Sequence, residues 1–298
     1  MSVTVRTPAK VNLHLGVGPL RDDGFHDLAT VFQAVSLYDE VTASDAETMT
    51  VVVQGEGRDE VPLDSTNLAI RAAVSLAELV GREPAVSIAI RKGIPVAGGM
   101  AGGSSDAAAT LVACDALWQT NVGHEVLMAI GATLGSDVPF CLLGGTALGA
   151  GRGDRLTRVL GRGTYHWVFA LAEAGLSTPA VYAELDRARA SMPAGDPMIP
   201  DQLIVGLRSG DARRVAPFLH NDLQTAALRL RPALRRTLEA GREAGALAAL
   251  VCGSGPTCAF LTTGEPVAVA LVAALAGSGS CRAVRRAHGP VPGARVVA

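Results

Sequence analysis

Four glycines, Gly98, Gly99, Gly102 and Gly103, fall within six positions of the stretch VAGGMAGGSSDAAATL (96–111). Glycine turns the backbone through conformations closed to other residues and lets a ligand approach the main chain. Ser104, Ser105 and Asp106 follow, the residue types that open a helix, and an alanine-rich run comes next. A glycine loop feeding a helix start gathers unpaired N–H groups at the positive end of a dipole, a site suited to phosphate. A flexible surface turn before a helix is the plainer alternative. The cradle is not a Walker loop, because no Gly-Lys-Ser/Thr follows and the nearest lysine, Lys92, precedes the glycines. Nor is it a dinucleotide fingerprint, since G-x-G-x-x-G is absent here and at Gly16–Gly18 and Gly253–Gly255.

The second chemical signal is the scarcity of lysine. The chain carries 26 Lys plus Arg, yet the only lysines are Lys10 and Lys92. Arginine presents a broad planar fork, whereas lysine is a compact charge on a thin stem. A lysine retained in PAKVNLHL fits a place that arginine could not fill, with chance retention on a strand edge as the competing reading.

The elements around these residues mix strands and helices. Residues 2–18 alternate as strands, and 29–37, 48–54 and 84–91 read likewise; Asp64-Ser65-Thr66 opens a helix to about Val80. Helices are expected at about 105–118 and 124–134, so the glycine loop lies between a strand and a helix. GlyArgGlyAsp at 151–154 reads as a hinge, dividing the chain into residues 1–154 and 155–298. Beyond it, 165–171 is a strand, arginine-bearing helices occupy 178–244, and the segment 191–200 is a loop. Strands at 247–252 and 257–262 flank GSGP, a helix starts at Pro266, and a last strand lies near 281–287. Both halves are α+β.

Composition bounds the partners. With 298 residues, 49% apolar and 18% charged, the chain can bury a substantial core. The net charge is −2, and Arg235–Arg236 and Arg285–Arg286 are pairs and not a patch, which argues against nucleic acid. Five cysteines, none spaced C-x-x-C, read as reduced buried thiols in a cytoplasmic protein without a zinc site. The longest apolar run, 267–276, is too short to span a membrane, and the alternating start does not read as a signal peptide.

Five islands remain: PAKVNLHLGV (8–17), RDDGFHDL (21–28), the glycine loop, GSDVPFCLLGGTA (135–147) and CGSGPTCAF (252–260). Together they resemble the GHMP kinase superfamily, from about residue 6 to about 288. PAKVNL, DGFH and DVPFCLLGGTA resemble in particular its branch that phosphorylates a cytidine diphosphate-linked methylerythritol in non-mevalonate isoprenoid biosynthesis. The resemblance implies a two-domain fold: an N-terminal ribosomal-protein-like domain with a left-handed βαβ crossover, and a C-terminal ferredoxin-like α/β sandwich. It implies ATP as co-substrate, Mg²⁺, and a monomer or weak homodimer.

The site residues carry over position by position. Pro95, Val96, Ala97, Gly98, Gly99, Met100, Ala101, Gly102, Gly103, Ser104 and Ser105 match the ATP loop, with the Ser104 or Ser105 hydroxyl available to a phosphate or to Mg²⁺. Asp137 matches the catalytic aspartate that takes the proton of the acceptor hydroxyl; a helix or turn cap is its alternative. Lys10 matches the active-site lysine, which keeps that carboxylate ionised and balances charge on the γ-phosphate. By this resemblance Phe25, where the branch usually has tyrosine, and Tyr182 would sandwich the cytosine, while His26 would bond its edge. Asn12 orients the acceptor or Lys10, Thr178 is a weaker acceptor-side candidate, and Ser254 lies in the third glycine motif. No acidic Mg²⁺ ligand is identifiable apart from Asp137 itself. A homoserine or mevalonate type of superfamily kinase, and a catalytically silent ATP or sugar-nucleotide sensor, are the alternatives; DGFH argues against the first, and the presence of Lys10 and Asp137 against the second.

Overall fold

A computed structural model describes residues 1–190 and 195–298. The chain begins with two long strands, β1 (Ser2–Leu20) and β2 (His26–Asp45), then β3 (Thr50–Gly55), α1 (Leu68–Leu79) and β4 (Val86–Lys92). Three helices follow, α2 (Gly102–Trp118), α3 (His124–Leu134) and α4 (Val138–Leu143), and then β5 (Thr146–Ala150), β6 (Arg155–Arg158) and β7 (Tyr165–Leu171). The second half continues with α5 (Thr178–Arg189), α6 (Asp201–Ser209), α7 (Ala212–Val215), β8 (His220–Asn221), α8 (Gln224–Leu230) and α9 (Ala233–Glu243). It closes with β9 (Ala248–Val251), β10 (Cys258–Thr262), α10 (Glu265–Gly277), β11 (Ala283–Gly289) and β12 (Arg295–Val296).

The first sheet runs β12-β1-β2-β4-β3, with β5 on β2, β6 on β5 and β8 on β1. β3 and β4 are parallel and joined through α1, the βαβ unit of this half. Buried Ala69, Ala72, Ala73, Leu76 and Ala77 give α1 one apolar stripe. By contrast α2 is buried on nearly every side, which its small residues Ala107, Ala108 and Ala109 permit. It can therefore lie between α1 and the sheet with its first turn held rigidly.

The second sheet, β11-β7-β10-β9, is antiparallel throughout. Its pleat sorts side chains cleanly. Tyr165, Trp167 and Phe169 of β7, with Ala259 and Leu261 of β10, join a core shared with Ala9, Val11 and Leu13 of β1. Val168, Ala170, Cys258 and Phe260 point the other way, onto Val181, Leu185, Ala227, Leu238 and Leu271 of the covering helices.

Two expectations require correction. Gly151-Arg152-Gly153-Asp154 is not a hinge: it is the turn of the β5–β6 hairpin, where Ala147–Ala150 pair with Arg155–Arg158. A division at 154 therefore cuts through a hairpin of the first sheet, and β8 and β12, later still in the chain, also join that sheet. The expected start of α2 also moves, from about 105 to Gly102, so two of the loop glycines form its first turn. Of the expected loop at 191–200, residues 191–194 lie outside the described residues, and 195–200 carry no regular structure. Among the described residues no helix is long and apolar enough to cross a membrane.

Candidate active site

The glycine loop is built from alternating backbone hands. Ala97, Gly99 and Ala101 have φ of 51°, 76° and 65°, with the residues between them on the ordinary side. Successive peptides of alternating hand turn their N–H groups into one concavity, a nest for anions. Among the described residues no N–H from Val96 to Ser104 donates to a protein acceptor outside the helix, and the first N–H groups of α2 lack intrahelical partners by construction. Left-handed alanines cost energy that the surroundings must offset. Met100 supplies one anchor, its side chain fully buried in the core between the sheets and its carbonyl accepting from Lys10 N–H at 3.2 Å. Gly99 supplies another: a Cβ there would lie 2.1 Å from the Cys252 carbonyl oxygen, so the loop is pressed against the GSGP turn.

Beneath the cradle sits a buried cluster. Lys92 Nζ donates to Asp39 Oδ2 at 2.5 Å and to Asp106 Oδ2 at 2.7 Å. Asp39 Oδ1 accepts from the N–H groups of Gly93 and Ile94 at 2.7 and 2.9 Å. One ammonium thus ties β2, the end of β4 and the first turns of α2. Burial alone would lower the Lys92 pKa, but Asp106 and Asp39 outweigh it and raise it. Burial raises Asp106 well above the usual carboxylate range, against the pull of Lys92. Among the described residues Asp106 Oδ1 has no hydrogen-bond partner. The lysine scarcity that singles out Lys10 applies equally to Lys92, whose compact ammonium sits between two buried carboxylates.

Lys10 and Asp137 face each other at 3.7 Å (Nζ to Oδ2), the lysine buried and the aspartate partly open to the cleft. Lys10 Nζ also donates to Asn12 Oδ1 at 2.8 Å, and Asn12 Nδ2 donates to Thr30 Oγ1 at 2.8 Å. Asn12 therefore orients Lys10. Asp137 occupies the N-cap position of α4 but makes no side-chain capping bond, so its carboxylate is left for the cleft. Gly253 closes the other side, where a Cβ would come within 3.3 Å of Lys10 Nζ. Ser254 Oγ and Thr178 Oγ1 are 2.8 Å apart, joining the GSGP turn to the start of α5.

Lys10, Asn12, Asp137, Thr178, Gly253 and Ser254 line one cleft of about 830 Å³, within the range of a small-molecule site. One arm passes the glycine loop toward Val61, Pro62, Asn67 and Leu68. The other holds Phe25, His26, Leu15, Leu28, Tyr182 and Asp186. Lys10, Asn12 and Leu15 share a wall although strict alternation would send Leu15 to the opposite face. The register shift between Asn12 and His14 turns it inward. Phe25 is half exposed beside the cleft. The His26 and Tyr182 rings are 5.1 Å apart, and His26 Nε2 lies 2.9 Å from Asp186 Oδ1. Burial, and after it the Asp137 charge, raises the Tyr182 hydroxyl, which stays protonated.

One expected role is overturned. Ser105 is fully buried, and its Oγ donates to the Pro8 carbonyl at 2.8 Å with Cys141 Sγ at 3.3 Å. It braces α2 against β1 and is closed to a phosphate or Mg²⁺; Ser104, on the exposed side of the same turn, lines the cleft. The helical step of 100° between neighbours is the reason. Asp186, Thr30, Asp39 and Arg152 escape sequence reasoning, as does the pairing of Asp106, read there only as a helix opener, because each acquires its place through contacts that the motifs do not encode.

Comparison with known proteins places the chain in a family. The family model "GHMP kinases N terminal domain" matches residues 67–145, and "GHMP kinases C terminal" matches 203–281. A 4-diphosphocytidyl-2-C-methyl-D-erythritol kinase of Nocardia farcinica is 62% identical, covering 99% of this chain and 96% of the relative. One from Rhodococcus jostii is 60% identical over 99% and 95%. A crystal structure of 4-(cytidine 5'-diphospho)-2C-methyl-D-erythritol kinase is 33% identical with a TM-score of 0.77, covering 97% of this chain and 98% of that one. The chain therefore belongs to the GHMP kinase family and is an ATP-dependent small-molecule kinase of the 4-diphosphocytidyl-2-C-methyl-D-erythritol kinase group.

Proposed function

We propose that the protein transfers the γ-phosphoryl group of ATP to the 2-hydroxyl of 4-diphosphocytidyl-2-C-methyl-D-erythritol, giving ADP and the 2-phosphate, a step of non-mevalonate isoprenoid synthesis. The names of the relatives support the substrate, and the cleft supports the chemistry. Phosphoryl transfer asks a protein for positioning and for stabilisation of charge. The nest from Val96 to Ser104 suits the ATP phosphates, and the arm at Asn67 and Leu68 leaves room for the adenosine. As the hydroxyl oxygen bonds to the γ-phosphorus and the β–γ bridge oxygen departs with ADP, Asp137 receives the hydroxyl proton. Lys10, held by Asn12, offsets the negative charge on the moving group.

Mg²⁺ belongs to this reading as the counter-ion of the nucleotide, neutralising phosphate charge. Among the described residues no group of three His, Cys, Asp or Glu side chains could hold a metal. Ser104 Oγ and Asp137 are the protein oxygens on the cleft wall suited to a hard cation whose remaining ligands come from phosphates and water.

The choice of base rests on one observation, the contact between His26 and Asp186. In the tautomer that donates Nε2–H to the carboxylate, the imidazole presents Nδ1 as an acceptor. Such an acceptor pairs with the 4-amino group of cytosine and opposes the 4-carbonyl of uracil. Phe25 and Tyr182 supply ring faces for the base. The test is turnover with cytidine- and uridine-linked methylerythritol diphosphates. The cytidine compound is expected to react well and the uridine compound poorly, with homoserine and mevalonate inert. His26→Ala should erode that preference and raise the acceptor KM while the ATP KM holds. Equal turnover of the two nucleotides would refute the assignment.

A further inference from the structure

The β5–β6 turn brings Arg152 onto the wall of the cleft. Its guanidinium carbon lies 5.2 Å from the centre of the Phe25 ring. Nε and Nη2 reach Asp154 Oδ2 at 3.4 and 3.1 Å, and Nη2 also reaches the Ala132 carbonyl at 3.3 Å. The group is thus fixed on three sides by a ring, a carboxylate and a carbonyl. Nη1 keeps both hydrogens without a protein partner among the described residues. The neighbouring Asp23 is bonded to Arg21 and feels Arg152 only through its charge.

Three Lys or Arg side chains line the cleft: Lys10, Lys92 and Arg152. Lys92 is spent on Asp39 and Asp106, and Lys10 stands at Asp137. Only Arg152 is placed on the acceptor arm with an unfilled donor edge. Its contacts bracket a particular stretch of that arm. At one end is Phe25, against which a base would stack; at the other is the C-terminal turn of α3, which carries Ala132 and leads directly into Asp137. A ligand with its base at Phe25 and its reacting hydroxyl at Asp137 must lay whatever joins them past this guanidinium. In the acceptor of the functional reading, on which this inference rests, the joining group is a diphosphate.

We infer that Arg152 is a specificity-determining residue that binds the diphosphate of the acceptor through its Nη1 edge while stacking on the outer face of Phe25. A planar fork held in advance loses little freedom on binding and pairs well with phosphate oxygens. The cation–π contact adds to this, since Phe25 has no hydroxyl with which to make a polar contact of its own. The GRGD segment is therefore a recognition turn.

The test uses the full chain with the nucleotide arm filled by a non-hydrolysable ATP analogue and Mg²⁺, and measures binding of cytidine and of CDP by calorimetry. Arg152→Met should weaken CDP by at least about tenfold, the loss of one charge-assisted contact, and leave cytidine unchanged. Arg152→Lys keeps the charge without the fork and should fall between the two. In turnover the Met variant should raise the acceptor KM while the ATP KM and kcat hold. Parallel weakening of cytidine and CDP would mean that Arg152 merely supports Phe25, and would overturn the inference; so would unchanged CDP binding. If Arg152→Met does not fold, the Lys variant decides by the same comparison. A wild-type protein that binds neither cytidine nor CDP would sink the functional reading and this assignment together, whereas loss confined to the variants bears on Arg152 alone.

Discussion

Lys10 of β1 and Asp137 at the head of α4 stand 3.7 Å apart, held so by Asn12 on one side and the Gly253 turn on the other. The pair is asymmetric in exposure: the ammonium is buried and the carboxylate reaches the cleft. That asymmetry suits a base that must meet a substrate and a cation that must not leave.

Removing either partner should therefore act on the chemical step. Asp137→Asn and Lys10→Ala are each expected to lower kcat by at least about a hundredfold, the scale of lost general-base or electrostatic help. Thermal stability should be nearly unchanged. Steady-state kinetics beside a melting curve separate the two effects, and near-normal turnover of either variant would remove its assigned role.

Two glycines of the cradle should fail in different ways. A Cβ at Gly103 meets only Leu68 Cδ1 at 3.8 Å, so Gly103→Val should fold while filling the space for phosphate. Its ATP KM should rise steeply with the acceptor KM little changed. At Gly99 the added Cβ would strike the Cys252 carbonyl, and φ is 76°. Gly99→Ala should lose about 1–3 kcal/mol of stability or more, the cost of strain of this kind. Urea denaturation of both variants checks the contrast.

The cluster under the loop predicts a pH-dependent defect. Lys92→Met leaves Asp39 and Asp106 facing each other in the interior, a loss of about 3–5 kcal/mol for a broken buried pair. Burial already raises the Asp106 pKa above its unfolded value, and removing the ammonium raises it further. A carboxyl so raised contributes most at acid pH, and its contribution is lost as pH rises toward the folded value. The stability gap between wild type and Lys92→Met should accordingly be smaller at pH 5 than at pH 8. A gap independent of pH would show that charge is not the reason for this lysine.

Asp222 should behave in the opposite sense. Burial pushes its carboxyl up, but His220, the Val17 N–H and Arg189 overcome that and hold it well below the usual range. The bond to Asp222 in turn raises His220, while burial and then the His220 charge lower the neighbouring His14. A depressed carboxyl stabilises above its unfolded pKa and loses that as pH falls; a raised histidine stabilises below its unfolded pKa and loses that as pH rises. The melting-temperature difference between wild type and Asp222→Asn should therefore be widest between about pH 4 and pH 6.5. It should shrink on the acid side, and on the alkaline side fall to what Arg189 and Val17 still contribute.

The sequence by itself determined the parts. Alternation marks β1, the Asp64-Ser65-Thr66 start marks α1, and the crowding of Gly98, Gly99, Gly102 and Gly103 before two serines marks the cradle. Lysine scarcity marks both lysines. These signals are legible because they are local, set by backbone periods and by what glycine allows. Only the tertiary structure decided which side chains meet. It turned Ser105 into the core and Ser104 outward, a difference of one helical step that the motif does not encode. It made the 151–154 segment a hairpin turn, because β6 finds its partner in β5, and so carried Arg152 to Phe25. It set Asp186 against His26 across two elements far apart in the chain. Such contacts depend on strand register and on which face of a sheet each element covers, and both are fixed only when the whole core packs.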